Sequence, residues 1–187
     1  IEAEGFQEIV GVDVGMRYLA VTDNGEKPFF FKSGPLKNKK KNYQKLRTEL
    51  QKKGTRSAKR KLKKVSQRER QFTSQVNHLI SKEICKKNRL IGVEDLTNIR
   101  EKTSTYRKNK EDRRQREQWS FADLHSKIAY KSLLNKGFCI KIDPRYTSQD
   151  CPKCKHRSKD NRPNKGLLFC CQNCGYSLHA DYIAAKN

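Results

Sequence analysis

At 187 residues the chain can bury one good hydrophobic core and a small appendage, but not two large domains. Hydrophobic and charged residues each make up 34%, enough apolar content to exclude a wholly disordered protein. The 43 Lys and Arg against 20 Asp and Glu leave a formal net charge of +23, which points to a polyanionic partner, because such side chains neutralise phosphates and release condensed counterions.

The β-branched run Ile9 to Gly15, then Tyr18 to Thr22, the turn Asp23-Asn24-Gly25 and Phe29 to Phe31 predict three strands in succession. Residues 37 to 70 carry sixteen Lys or Arg against only Glu49 and Glu69, the pattern of a basic helical arm. From Phe72 the apolar residues Val76, Leu79, Ile80 and Ile84 recur at helical spacing, so this stretch packs one face on a sheet. Leu90 to Glu94 reads as a buried strand, and Asn98 to Arg116, with almost nothing to bury, as a mobile loop. Trp119 to Leu133 predicts a helix stopped by Gly137, and Phe138 to Ile142 a strand ended by Pro144. A final helix opens at His179-Ala180-Asp181. Strands separated by helices pair in parallel, so the order predicts an α/β fold, a mixed sheet flanked by helices, the order of an RNase H-like fold.

Asp13 lies between Val12 and Val14 in a buried strand, where an ionised carboxylate is costly unless paired, hydrogen-bonded or bound to metal. Glu94 ends a second apolar strand, and Asp181 opens the last helix. Three gathered carboxylates repel one another, and a hard divalent cation, Mg2+ or Mn2+, is the simplest way to keep them ionised. Two such ions would suit phosphodiester hydrolysis, with Asp13 shared between them. Asp95 and Asp143 compete for the same role. Alternation turns Asp95 to the opposite face from Glu94, and Asp143 before Pro144 suits a turn.

Cys151-Pro152-Lys153-Cys154 and Cys171-Gln172-Asn173-Cys174 are two CxxC pairs with sixteen residues between them. That spacing predicts one structural Zn2+ held by four thiolates, leaving no open position for catalysis. Cys170 would break the symmetry of the second pair, His156 and His179 read as solvated, and Cys85 and Cys139 as small core residues. No run approaches the roughly 18 to 20 apolar residues that span a bilayer, and IEAEGFQE lacks the order of a signal peptide. A cytoplasmic protein with no membrane partner is therefore expected.

Gly11-Val12-Asp13-Val14-Gly15 with Leu19-Ala20-Val21, and Gly92-Val93-Glu94-Asp95-Leu96, resemble the first two RuvC motifs of the TnpB/OrfB family of transposon proteins. Asp143-Pro144-Arg145-Tyr146-Thr147-Ser148-Gln149, Phe169 to Gly175 and His179-Ala180-Asp181 with Ala184-Ala185 and Asn187 are similar to its zinc ribbon and third RuvC motif. Trp119-Ser120-Phe121, Leu124 and Tyr130-Lys131 match a further segment of the family. The resemblance implies an RNase H-like (RuvC) core over residues 1–150 with the basic arm at about 37–88, an inserted zinc ribbon at 151–175, and the last motif at 176–187. It further implies Mg2+-dependent DNA cleavage by Asp13, Glu94 and Asp181, a guide RNA transcribed from the transposon end, and a place in the prokaryotic cytoplasm or nucleoid. Family members carry an N-terminal region ahead of the first motif, so an excised domain or a truncated copy is expected. The competing class is a nucleic-acid-binding module or transposition regulator that does not cut, and an unguided Holliday-junction resolvase is a third.

Overall fold

The computed structural model describes residues 5–86, 88–97, 119–163 and 166–187. The mobile loop expected from Asn98 to Arg116 lies outside the described residues. Five strands form one sheet in the order β3-β2-β1-β4-β5. They are β1 (Glu8–Asp13), β2 (Tyr18–Asp23), β3 (Phe29–Lys32), β4 (Arg89–Glu94) and β5 (Phe138–Ile142). β1, β2 and β3 pair antiparallel, whereas β1 with β4 and β4 with β5 pair in parallel, giving the mixed α/β architecture that the element order predicts. Asp23 Oδ1 accepts the N–H of Gly25 at 3.2 Å, closing the turn between β2 and β3.

The basic arm is a helical hairpin, α1 (Gly34–Lys53) and α2 (Arg56–Ile84). Gly54 breaks it with φ 62°, a left-handed conformation that costs glycine little, and the Thr55 hydroxyl caps α2 by accepting the N–H of Ala58. Tyr43, Leu46 and Leu50 of α1 pack on Ala58, Leu62 and Val65 of α2, and Arg47 pairs with Glu69 at 2.7 Å. The second half of α2 is the helix expected from Phe72 onward, so arm and packing helix are one continuous element. Its Ile80 and Ile84 join Leu124 and Ile128 of α3 (Phe121–Leu134) on Val10, Val12, Ile91 and Val93 of the sheet. Asn77 of α2, almost fully buried, donates to the Ser120 hydroxyl at 3.1 Å and to Asp123 at 2.7 Å, fixing the start of α3.

At the end of α3 the left-handed residue is Lys136, with φ 60°, and not the expected Gly137. Gly137 answers a different need, because a Cβ there would stand 2.4 Å from the Arg89 carbonyl oxygen. Beyond β5, a two-stranded ribbon of β6 (Leu168–Cys170) and β7 (Ser177–His179) leads into α4 (Ala180–Lys186). No described helix is long and apolar enough to cross a membrane.

Because strand residues alternate, Gly11 and Gly92, paired in register on β1 and β4, present the sheet face opposite Val10, Val12, Ile91 and Val93. α4 lies on this second face, with Tyr182 and Ala185 packed against Val21. A Cβ at position 11 would stand 1.8 Å from the Ala185 carbonyl oxygen, so only glycine lets the helix settle there. The Tyr182 hydroxyl donates to Asp23 at 2.9 Å, and Lys186 reaches the same carboxylate at 3.7 Å. Gly11→Ala is expected to destabilise the chain by about 1–3 kcal/mol in urea unfolding, the usual cost of overpacking. Gly25→Ala, which meets no atom within 4 Å but lies at φ 86°, should cost only its turn strain of about 1 kcal/mol.

Candidate active site

β1 and β4 run in parallel with Val12 opposite Val93, so Asp13 and Glu94 are one step further on, side by side at the carboxyl ends of neighbouring strands. Two residues past Gly11 and Gly92, they present the same face as those glycines, the face on which α4 lies. Asp181 stands in the first turn of that helix. Its carboxylate thus approaches the strand ends from above.

All three side chains are half-buried. Burial, reinforced by the negative charges of Glu94 and Asp181, raises the Asp13 carboxyl from its ordinary 3.8 to about 8, with the Arg162 guanidinium opposing the rise. Glu94 is also raised by burial, opposed by the hydrogen bond it accepts from the Thr147 hydroxyl at 2.6 Å. Arg162 lies 3.6 Å from Asp181 and donates from Nε to the Gly166 carbonyl at 2.9 Å. Neither Thr147 nor Arg162 stood out as a site residue in the sequence. Thr147 was legible only as part of a matched motif, and Arg162 as one of many basic residues. Asn187, next after α4, donates to the carbonyls of Thr147 at 2.7 Å and Asp150 at 2.8 Å, so the end of the helix also holds the turn that reaches Glu94.

The competing carboxylates have local work. Asp95 accepts from the N–H and hydroxyl of Thr97, and Asp143 accepts the N–H of Arg145 at 3.0 Å. His179 differs from its expected solvated state, because its ring packs edge-on to Tyr18 and Phe30 and its Nδ1 accepts the N–H of Asp181 at 3.3 Å. It therefore caps α4 and helps to set Asp181.

The second cluster comprises Cys151, Cys154, Cys171 and Cys174, whose sulfurs all lie within 4.8 Å of one another. Among the described residues no other set of three or more Cys, His, Asp or Glu closes so tightly. Cys170 is not in it, and the Sγ atoms of Cys154 and Cys171 are 3.5 Å apart. The His156 N–H and the Asn173 amide favour the Cys154 thiolate and bring its pKa down to about 6. Four crowded, soft donors of this kind fit a tetrahedral metal ion. Cys85, donating to the Ile128 carbonyl, sits in the core, and burial pushes its thiol up to about 12.

The OrfB_IS605 family, described as "Probable transposase", matches residues 3–104, and the Cas12f1-like TNB domain matches residues 121–187. The chain belongs to this TnpB-like family. It is 34% identical over 159 residues to a TnpB-like protein of Methanocaldococcus jannaschii, a match covering 81% of this chain and 55% of that protein. It is also 42% identical over 97 residues to the CRISPR-associated endodeoxyribonuclease Cas12f1 of Sulfoacidibacillus thermotolerans, covering 52% of this chain and 21% of that one. The fold is similar to a cryo-EM structure of a Cas12f1–sgRNA–target DNA complex, with a TM-score of 0.74 at 22% identity over 100% of this chain and 50% of that one. This chain thus spans about half or less of the relatives it matches.

The raised Asp13 pKa carries a sign. Between about pH 4 and pH 8 the folded chain keeps a proton that the unfolded chain has released, so this group's contribution to stability declines as pH rises through that window. With no Mg2+ or Mn2+ added, Asp13→Asn should therefore gain thermal stability relative to the parent as pH rises from 5 to 8, and the two should converge below pH 4. A pH-independent difference would contradict the clustering of the carboxylates.

Proposed function

We propose that this chain is the metal-dependent DNA endonuclease portion of a transposon-encoded, RNA-guided protein. In this reading residues 1–150 are the RuvC-type, RNase H-like core with its basic arm, 151–175 a zinc ribbon and 176–187 the last nuclease motif. The observation that carries it is the pair of carboxylates at the ends of parallel strands, with a third brought over the same face by α4. The names of the relatives, which include endonucleases and a complex with guide and target, are consistent with DNA as substrate and guide RNA as partner.

Asp13, Glu94 and Asp181 would hold the two Mg2+ or Mn2+ ions of such a nuclease. Their donors are hard oxygens, and the burial and neighbouring negative charge that raise the Asp13 pKa are what a divalent cation relieves. The three carboxylates are near enough for Glu94 and Asp181 to raise Asp13, but their oxygens do not all lie within 4.8 Å of one another as the cysteine sulfurs do. When bound, such ions supply an activated water and charge compensation at the leaving oxygen. The protein's part is positional. Thr147 fixes one rotamer of Glu94 through its hydroxyl, and His179 and the Ala185–Gly11 contact fix the height of Asp181. Arg162, beside Asp181, offers a cation to the phosphate being cut, in an arrangement otherwise hostile to anions. Arg and Lys along α1 and α2 hold the nucleic-acid backbone.

The full chain with Mg2+ or Mn2+ should nick single-stranded DNA, with EDTA or Asp13→Ala abolishing the product and Thr147→Val reducing the rate roughly tenfold or more. DNA retained in a gel shift but never cut would favour the binding-module reading instead. For the ribbon, elemental analysis should find about one zinc per chain, lost with Cys151→Ser or Cys174→Ser together with much of the thermal stability. Free thiols and no zinc in the folded chain would refute it.

A further inference from the structure

A cavity of about 220 Å³ opens past the carboxyl end of β1, where Met16 lines it. Met16, Leu19, Leu36 and Trp119 supply its apolar lining, and Lys37, Lys40 and Lys41 with three uncharged polar side chains line the rest. Met16 follows Asp13 by three residues in the loop to β2, so the cavity lies past the carboxyl end of β1, on the core face of the sheet and not on the face that Asp13 and Glu94 present. Leu19 and Leu36 are buried and belong to the main core, which makes the floor rigid. Trp119 is half-buried against Phe121, ring centroids 4.9 Å apart, so the indole has a fixed seat. Lys37 and Lys41 are exposed and one helical turn apart on α1, so both ammonium groups can face one stretch of polyanion.

A slot with an apolar floor, an aromatic wall and a polar, cationic side has the chemistry that holds an unstacked nucleobase with its flanking phosphates. Its volume is below the roughly 300–1,000 Å³ of sites that enclose whole drug-sized ligands, which suits one heterocycle and excludes a base pair. We propose that this cavity takes one base of a single-stranded DNA lying across the acidic site, stacked against Trp119, with Lys37 and Lys41 on the adjoining phosphates. A base anchored past the end of β1 would fix the register of a strand that continues over the strand end to the carboxylates. The inference rests on DNA being the substrate, but base capture is separable from cutting.

Trp119 is the single tryptophan of the chain, so its emission reports on this cavity alone. The full chain, with no Mg2+ or Mn2+ added so that nothing is cut, is titrated with a labelled oligothymidylate of about eight residues, with the abasic analogue and with oligouridylate, following label anisotropy and tryptophan emission together. Oligothymidylate should quench the emission in step with the anisotropy rise, the abasic analogue should raise anisotropy without quenching, and oligouridylate should quench no more than the DNA does. Lys37→Glu with Lys41→Glu, both at exposed helix positions, should weaken the quenching titration roughly tenfold. Anisotropy rising with unchanged emission, equal quenching by the abasic analogue, quenching confined to RNA, or no binding at all would each overturn the proposal. Quenching by a chain that never cuts with Mg2+ would sink the nuclease reading and leave the base site standing.

Discussion

The close approach of α4 to Gly11 is the constraint on which the site depends. The Ala185 carbonyl occupies the space of a side chain at position 11, so the helix can lie directly on the sheet beside the strand ends. Tyr182 and Lys186 secure it through Asp23, and Asn187 ties it to the Thr147 turn. One short helix thereby presents Asp181 and, through that turn, also steadies Glu94. Cost accompanies this geometry: three acids share a half-buried place, and Asp13 answers by holding its proton to about pH 8.

The cysteine cluster and the acidic cluster are mechanically linked. β7 leaves the ribbon and passes straight into α4, with His179 at the junction capping the helix. Arg162, from the segment between the two cysteine pairs, reaches Asp181. Ordering the cysteines with a metal ion would therefore order both the residue that opens the helix and the cation beside it.

Much of this was legible in the chain because period-2 runs and strand ends are local signals. Val10, Val12, Ile91 and Val93 define one face of the sheet, and the intervening Gly11 and Gly92 define the other, so Asp13 and Glu94 follow from counting. Contacts made across long separations were not legible. Thr147 reaches Glu94 across 53 residues, and nothing in either segment announces it. Arg162 is hidden by composition, one cation among 43. The Gly137 misreading has a similar origin: a glycine after a helix suggests a left-handed stop, whereas the close passage of Arg89 is what requires it. His179 looked solvated because its aromatic neighbours, Tyr18 and Phe30, come from the far end of the sequence.

The central proposal is that α4, seated on Gly11, brings Asp181 to the two strand-end carboxylates so that the three together bind divalent cations. Manganese binding followed by electron paramagnetic resonance reads that claim without requiring guide, target or turnover. The account predicts saturable Mn2+ binding by the parent chain, weakened roughly tenfold or more both by Asp181→Asn and by Gly11→Ala, the latter leaving every carboxylate in the sequence. Mn2+ affinity unchanged in both folded variants would contradict it.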